Sequence, residues 1–195
     1  ATSRLILEAG IHDSFLERFL DRARSLKIGN GLDESTEMGP VINQRQRDII
    51  HQWVKVGIEE GAELLTGGRP YEEGDCRKGW FYEPTVLAGV TPNLRIAQEE
   101  IFGPVVSVFK VEDLAQAIEV LNDSKYGLSS SIYTRDINKA ARAAEEIEAG
   151  ITYVNGPTIG AECHLPFGGV KDTGNGHREG GEAAYDIFTE TKTVY

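Results

Sequence analysis

The chain has 195 residues, 40% of them hydrophobic, and a formal net charge of −11 from 31 acidic and 20 basic residues. This acidic balance argues against nucleic acid and against anionic membrane surfaces as partners, since both are bound through clusters of Lys and Arg. No apolar run approaches the roughly 18 residues that a membrane-spanning helix needs. The length and the apolar content therefore predict one ordinary soluble domain with a buried core.

The two cysteines bear on the redox compartment, and the first residues bear on how the chain was produced. Cys76 and Cys163 make no disulfide framework in a chain of this length, so we expect a reducing, cytoplasmic compartment. Residue 1 is Ala, and a strand-like run at 5–7 follows almost at once. Such a start is typical of an internal cut or of a processed chain.

Strand-like and helix-like patterns alternate along the chain. Residues 4–8 form the first predicted strand, and Asp13 or Ser14 can cap the first helix. Asn43 is a suitable cap for the second helix, whose apolar side follows a helical period. The other regular segments are predicted strands at 62–66, 105–111, 128–133 and 151–154, and predicted helices at 112–121, 136–148 and 182–185.

Two further segments have an extended pattern. Residues 81–90 contain Pro84, which predicts an edge strand or a broken strand. Residues 187–195 alternate like a strand at the end of the chain. The alternation of strands and helices predicts an α/β fold, with an open, largely parallel twisted sheet and flanking helices. Because no linker or repeat interrupts the chain, we expect a single domain.

Three apparent motifs do not support a phosphate-binding loop, a catalytic Cys–His pair or a metal site. Gly174 and Gly176 belong to a G-x-G-x-x-x-G pattern that differs from the dinucleotide fingerprint and follows no strand, so tight turns explain it better. Cys163 and His164 could pair as nucleophile and base, but neighbours in sequence seldom face one substrate atom. The four histidines show no ligand spacing, and no metal site is predicted.

The most informative segment lies at 98–104, with the sequence Gln-Glu-Glu-Ile-Phe-Gly-Pro, directly before an apolar strand. In extended backbone, residues two apart point the same way, so Glu100 and Phe102 would present a carboxylate and an aromatic face to one cleft. A carboxylate can accept hydrogen bonds from both hydroxyls of a ribose. From the residues alone, this segment fits either a ribose site or an ordinary polar loop.

Several blocks in a fixed order resemble the aldehyde dehydrogenase superfamily. The Glu-Glu-Ile-Phe-Gly-Pro block at 99–104 is the most specific, and the resemblance covers essentially the whole chain. The other blocks are Met-Gly-Pro at 38–40, Glu-Pro-Thr-Val at 83–86, Gly-Ile-Thr-Tyr-Val-Asn at 150–155, Pro-Phe-Gly-Gly-Val-Lys-Asp-Thr-Gly at 166–174 and Arg-Glu at 178–179.

The resemblance implies a reaction and a cofactor. Members of this superfamily oxidise aldehydes to carboxylic acids with NAD or NADP. A cysteine thiolate attacks the aldehyde, hydride passes to the nicotinamide, and a water activated by a glutamate hydrolyses the thioester. By this resemblance, Glu100 binds the nicotinamide ribose hydroxyls, Phe102 packs beside that sugar, and Gln46 approaches the same ribose.

The resemblance also implies an aldehyde-binding side. Phe167 resembles an aromatic residue of the aldehyde tunnel, and the loop 156–164 corresponds to a loop that closes over the far end of the substrate. Gly160-Ala161-Glu162 in that loop, with His164-Leu165 before Pro166-Phe167, resembles the branch that oxidises semialdehydes, such as 2-oxoglutarate semialdehyde. We therefore expect a small aldehyde as the substrate.

The chain departs from the family pattern at its start. The family nucleophile would lie about two residues before Ala1, and neither Cys76 nor Cys163 occupies its position. We therefore expect no catalytic residue within the chain and no turnover by this polypeptide alone. The resemblance also places residues 1–186 in the catalytic domain of the family. It implies homodimers or tetramers of the full-length protein, with 187–195 at the start of the C-terminal strand that joins neighbouring subunits.

Two alternatives remain open from the sequence. The chain could be a non-catalytic binding or structural fragment of the same fold, a reading that the missing nucleophile supports. It could also be a relative of the acyl-phosphate reductases, which share the cysteine chemistry, but the block at 99–104 argues against this.

Overall fold

The computed structural model describes residues 2–195, which form two compact units, 2–117 and 118–195. A short 3₁₀ helix, Gly74–Lys78, lies in the first unit. The other elements, in chain order, are β1 (Arg4–Glu8), α1 (Ala9–Ser25), α2 (Gln44–Glu59), β2 (Glu63–Thr66), β3 (Thr85–Ala88), α3 (Arg95–Gln98), β4 (Val105–Val111), α4 (Leu114–Asn122), β5 (Tyr126–Gly127), β6 (Ser129–Ile132), α5 (Ile137–Glu146), β7 (Ile151–Val154), β8 (Val170–Lys171) and α6 (Ala183–Phe188).

The first unit is built on a four-stranded sheet in the order β1-β4-β3-β2. The pairings of β4 with β1 and with β3 are parallel, and only the edge strand β2 pairs in the antiparallel direction. Leu7, Val86 and Val108 bring the three parallel strands into one apolar core, against which Ala23 of α1 is buried. The predicted open, largely parallel α/β sheet with flanking helices is confirmed.

The second unit contains two small pairings. Strands β6 and β7 run parallel in the register Ser129↔Ile151, and β5 pairs antiparallel with β8. Helix α5 begins where the Asp136 side chain accepts hydrogen bonds from two backbone N–H groups, and it buries Ala140 and Ala143. This aspartate satisfies donors that every helix start leaves unpaired.

The first helix begins earlier than the sequence indicates. Asp13 or Ser14 was the expected cap, but α1 already starts at Ala9, directly after β1. The Asp13 carboxylate pairs with the His12 ring at 2.6 Å, and the Ser14 hydroxyl donates to the Ile11 carbonyl at 3.2 Å. Both side chains are thus engaged inside the helix, and neither can cap it.

The proline of 81–90 lies before the strand rather than in it. Pro84 precedes β3, so its missing N–H removes no bond from the sheet. Thr85, the first strand residue, donates its N–H to the Pro104 carbonyl at 2.8 Å. All four residues of β3 are buried, and β3 pairs with strands on both sides. The edge-strand alternative was therefore wrong, whereas the broken-strand alternative agrees with a regular strand that begins only after Pro84.

The end of the chain also differs from the expected strand at 187–195. Helix α6 extends to Phe188, and residues 189–195 form no regular element. Thr189 donates both its N–H and its hydroxyl to the Tyr185 carbonyl, which closes the helix. An alternating sequence becomes a strand only when a partner strand supplies its hydrogen bonds. The role of 187–195 in subunit assembly stays a prediction.

Gly150 allows a close backbone approach in the second unit. A Cβ atom at Gly150 would overlap the Gly168 carbonyl oxygen, whereas one at Gly156 would come no closer than 3.9 Å to Tyr153. We expect Gly150→Ala to lower the free energy of unfolding by about 1–3 kcal/mol, the usual cost of overpacking. Urea unfolding of Gly156→Ala is the matched control, and equal stability of the two variants would contradict this packing.

Candidate functional site

The segment 95–103 lies along one side of helix α2. Residues 46, 50, 57 and 60 recur at helical spacing, so they share one stripe of the helix and its C-terminal cap. The helix and the segment run in opposite directions. The C-terminal end of the helical stripe contacts Arg95, and its N-terminal end contacts residues 101–103. We call this pair of elements the α2 brace.

The C-terminal end of the brace combines an ion pair at Glu60 with an apolar contact at Gly57. The Glu60 carboxylate accepts the Arg95 N–H at 2.8 Å and also pairs with the Arg95 guanidinium. The hydrogen bond from the Arg95 side chain is the larger cause of a lowered pKa of the Glu60 carboxyl, and the bond from the Arg95 backbone N–H lowers this pKa further. One turn earlier, Gly57 leaves room for Ile96, because a Cβ atom there would lie 2.7 Å from the Ile96 Cδ1 atom.

The N-terminal end of the brace begins at a helix cap. Asn43 accepts the Gln46 N–H at 2.8 Å, so the predicted cap is confirmed. The Gln46 side chain then donates from Nε2 to the Ile101 carbonyl at 2.9 Å and to the Phe102 carbonyl at 3.1 Å. Ile50, one turn later, fills the space beside Gly103 so closely that a Cβ atom there would overlap it.

Glu100 and Phe102 flank the buried Ile101. Ile101 is 7% exposed, whereas Phe102 is 73% exposed and Glu100 also faces solvent. Phe102 has a φ of 50°, in the left-handed region that non-glycine residues rarely adopt. The extended backbone assumed in the sequence argument therefore does not hold at Phe102. That the two side chains line one cleft stays a prediction.

The aldehyde-side residues belong to the second unit. Phe167 exchanges two backbone hydrogen bonds with Glu179, at 2.5 and 2.7 Å, which fixes the start of the Gly-Gly turn. Gly160 has a φ of 95°, and Ala161 beside it is exposed. The structure therefore brings Gln46 onto the backbone of Phe102 in the first unit and holds Phe167, Gly160 and Ala161 in the second.

Two residues that the sequence argument did not select hold the loop at 156–164. The Tyr153 hydroxyl donates to the Gly160 carbonyl at 2.6 Å, and the Ser131 hydroxyl donates to the Gly156 carbonyl at 2.5 Å. Both side chains project from the paired strands β6 and β7. The sequence analysis placed Tyr153 in a predicted strand and in the family block at 150–155, and no spacing signal linked either residue to the loop.

Two other kinds of site are not found in the described part of the chain. Within residues 2–195, no group of three or more His, Cys, Asp or Glu side chains is arranged to hold a metal ion. Over the same range, no helix has both the length and the apolar character needed to cross a membrane.

Comparison with known proteins identifies the family. The model of the aldehyde dehydrogenase family matches residues 1–194. The chain belongs to this family, and the resemblance of its sequence blocks is confirmed. The α-ketoglutaric semialdehyde dehydrogenase of Bacillus subtilis is 42% identical over the whole chain, and the α-ketoglutarate semialdehyde dehydrogenase of Haloferax volcanii is 43% identical.

A solved structure shows the same fold. Betaine aldehyde dehydrogenase from Staphylococcus aureus, solved in complex with NAD⁺, superposes with a TM-score of 0.92 at 38% identity. The match covers 95% of this chain and 37% of that enzyme. The chain likewise spans 40% of the length of each of the two semialdehyde dehydrogenases.

The ion pair at the end of the α2 brace gives a pH-dependent prediction. Because the Glu60 pKa is lowered by folding, its contribution to stability is present above the ordinary value of 4.5 and is lost as pH falls through the folded value. We expect Glu60→Gln to lower the melting temperature at pH 7, with a difference that shrinks towards pH 3. The exposed neighbour Glu59→Gln is the control, and a pH-independent Glu60→Gln effect would contradict this account.

Proposed function

We propose that this chain provides the nicotinamide-ribose contacts and part of the aldehyde-binding side of an NAD-dependent aldehyde dehydrogenase. The observation that carries the proposal is the exposed pair Glu100 and Phe102, displayed by a segment that α2 braces from both ends. Family membership supports the reaction type, and it favours an oxidoreductase over the non-catalytic or structural fragment.

The residues at the brace fit the ribose of NAD. Within residues 2–195, the Glu100 carboxylate forms no ion pair, so both of its oxygens can accept hydrogen bonds from the vicinal hydroxyls. The exposed ring of Phe102 offers a flat apolar surface beside the sugar. NAD supplies the hydride acceptor when bound, and Glu100 and Phe102 set the position of the nicotinamide relative to the aldehyde.

NAD is preferred to NADP in this proposal, because the solved S. aureus relative was obtained with NAD⁺. The contacts to the adenosine ribose, which distinguish the two cofactors, lie outside the role proposed for this chain. Gln46 belongs to the nicotinamide part of the site through its contacts with the loop backbone.

The proposed substrate is a semialdehyde such as 2-oxoglutarate semialdehyde. Its support is the naming of the two relatives at 42 and 43% identity as dehydrogenases of that semialdehyde. Phe167 would line the aldehyde tunnel, with Gly160 and Ala161 in the loop that closes it. Betaine aldehyde is the second candidate, since a betaine aldehyde dehydrogenase of B. subtilis is 40% identical over the chain. Turnover compared on both aldehydes decides between them.

We also propose the setting of the full-length gene product. It would be a cytoplasmic homodimer or tetramer, with 1–186 in the catalytic domain and 187–195 leading towards the strand that joins subunits. Light scattering of the full-length gene product tests the assembly, and a monomer at micromolar concentration would contradict it.

Substitution of Glu100 tests the ribose contact. In the full-length gene product, Glu100→Gln removes a charge-assisted hydrogen bond worth about 1.5–3 kcal/mol, so NAD should bind roughly 10- to 100-fold more weakly. Turnover should also fall, because the nicotinamide is less well oriented. Thermal melting should change little, since the side chain is exposed.

The adjacent acid provides the control for this experiment. Glu99→Gln removes the same charge from the same loop and should leave the KM for NAD unchanged. Equal losses at the two positions would indicate a general charge effect. Wild-type turnover and NAD affinity in Glu100→Gln would overturn the assignment of Glu100.

The cysteines give a second test of the proposed chemistry. Cys163 is an exposed free thiol in the loop that would cover the substrate, and Cys76 is a half-buried free thiol in the short 3₁₀ helix. Neither is proposed as the nucleophile, so Cys163→Ala and Cys76→Ala should retain turnover in the full-length gene product. A polypeptide of residues 1–195 should show no NADH formation. Turnover abolished by Cys163→Ala would make Cys163 the nucleophile instead.

A further inference from the structure

We propose that Gln46 is a positioning residue, which holds the left-handed backbone at Phe102 and thereby sets the directions of Glu100 and Phe102. Its side chain acts on the loop rather than on the cofactor. This inference rests on the proposed function, since it takes Glu100 and Phe102 as the side chains that bind the ribose.

The atoms in contact determine how the Gln46 amide is oriented. Both neighbours are carbonyl oxygens, those of Ile101 at 2.9 Å and of Phe102 at 3.1 Å. Carbonyl oxygens only accept hydrogen bonds, so the amide must present its NH₂ group to the loop. An NH₂ group has two hydrogens, which is enough to serve both carbonyls. The donors of this side chain are therefore engaged by the loop itself.

The loop needs such a constraint at Phe102. A non-glycine residue with a φ of 50° is strained, and strained backbone persists only where its surroundings determine it. The Phe102 ring is 73% exposed and offers little packing to hold the backbone. The constraint must therefore act on the backbone itself. The Gln46 amide donates to the Ile101 carbonyl, which precedes Phe102, and to the carbonyl of Phe102 itself.

Gln46 is itself held in place by the helix. Asn43 accepts the Gln46 N–H, so the residue is fixed in the first turn of a 16-residue helix. Ile50 is on the same face one turn later and blocks movement of Gly103 towards the helix. The buried Ile101 side chain, next to these contacts, further anchors the loop. A single helical face thus determines the backbone path through 101–103.

The test replaces the amide with groups that cannot donate. In the full-length gene product, Gln46→Met removes two neutral hydrogen bonds, and Gln46→Glu at neutral pH places a carboxylate against two carbonyl oxygens. We expect the KM for NAD to rise roughly 10-fold in each variant, with a smaller fall in kcat. Gln44→Met, an exposed glutamine in the same turn, is the matched control and should change neither constant.

A pH profile distinguishes positioning from general destabilisation. The carboxyl group introduced by Gln46→Glu can donate one hydrogen bond once it is protonated, and the adjacent carbonyls favour this form. Lowering the pH from 8 to 5 should therefore restore part of the NAD affinity in Gln46→Glu. Gln46→Met has no proton to gain and should show no such recovery. Equal pH profiles for the two variants would contradict the proposal.

Hydrogen exchange measures the loop directly, without NAD. Backbone amides in 101–105 should exchange faster in Gln46→Met than in the unmodified protein, and Gln44→Met should leave them unchanged. If NAD affinity falls while this exchange does not change, the side chain touches the cofactor itself and the positioning role is overturned. Unchanged affinity and unchanged exchange would overturn it as well.

Failure of this inference differs from failure of the proposed function. If Glu100→Gln weakens NAD binding and Gln46→Met does not, only the positioning role is wrong. If Glu100→Gln leaves NAD binding intact, the ribose assignment is wrong, and the role of Gln46 in cofactor binding is wrong with it.

Discussion

The candidate site depends on the packing of one helical stripe against the segment 95–103. Helix α2 contacts this segment with a charge at one end, through Glu60, and with an amide at the other, through Gln46. Between them, Gly57 and Ile50 determine how closely the segment approaches. Because the segment leads directly into the buried strand β4, the position of its exposed side chains is tied to the core of the sheet. A rigid element supporting a loop in this way favours binding, since less loop motion is lost on association.

Glycines play the corresponding structural role in the second unit. The backbone at Gly150 lies against Gly168, and that at Gly174 lies against Gly169, so closely that a Cβ atom would overlap the opposing carbonyl oxygen. The interpretation of Gly174 as a packing position, and not as a phosphate contact, agrees with this approach. These contacts surround Phe167, whose backbone is paired with Glu179. This pairing fixes the backbone from which the Phe167 ring, proposed here as part of the aldehyde tunnel, projects.

The sequence predicted those elements whose signals are local. The apolar run at 105–111 and the strand at 151–154 appear with the expected bounds, and Asn43 caps α2 because an Asn directly before a helix can accept its free N–H groups. The Glu-Glu-Ile-Phe-Gly-Pro block identified the family because its residues recur as a unit. None of these inferences required knowledge of distant contacts.

The sequence could not predict features that depend on partners far along the chain. The left-handed backbone at Phe102 is supported from Gln46, 56 residues earlier, and no local pattern encodes that contact. Pro84 suggested an edge strand or a broken strand, and only the pairing of β3 with both neighbours showed that the strand is internal. The strand expected at 187–195 was inferred from alternation alone, which cannot show whether a partner strand exists. In each case the sequence pattern lacked information about contacts between residues that are far apart in the chain.

A crystal structure of the full-length gene product with NAD tests the central claim most directly. The account predicts Glu100 carboxylate oxygens within about 2.6–3.2 Å of both hydroxyls of the nicotinamide ribose, with the Phe102 ring packed against that sugar. It also predicts that the Gln46 amide still donates to the loop carbonyls in the complex. A nicotinamide ribose bound by other residues, with Glu100 directed into solvent, would contradict the account.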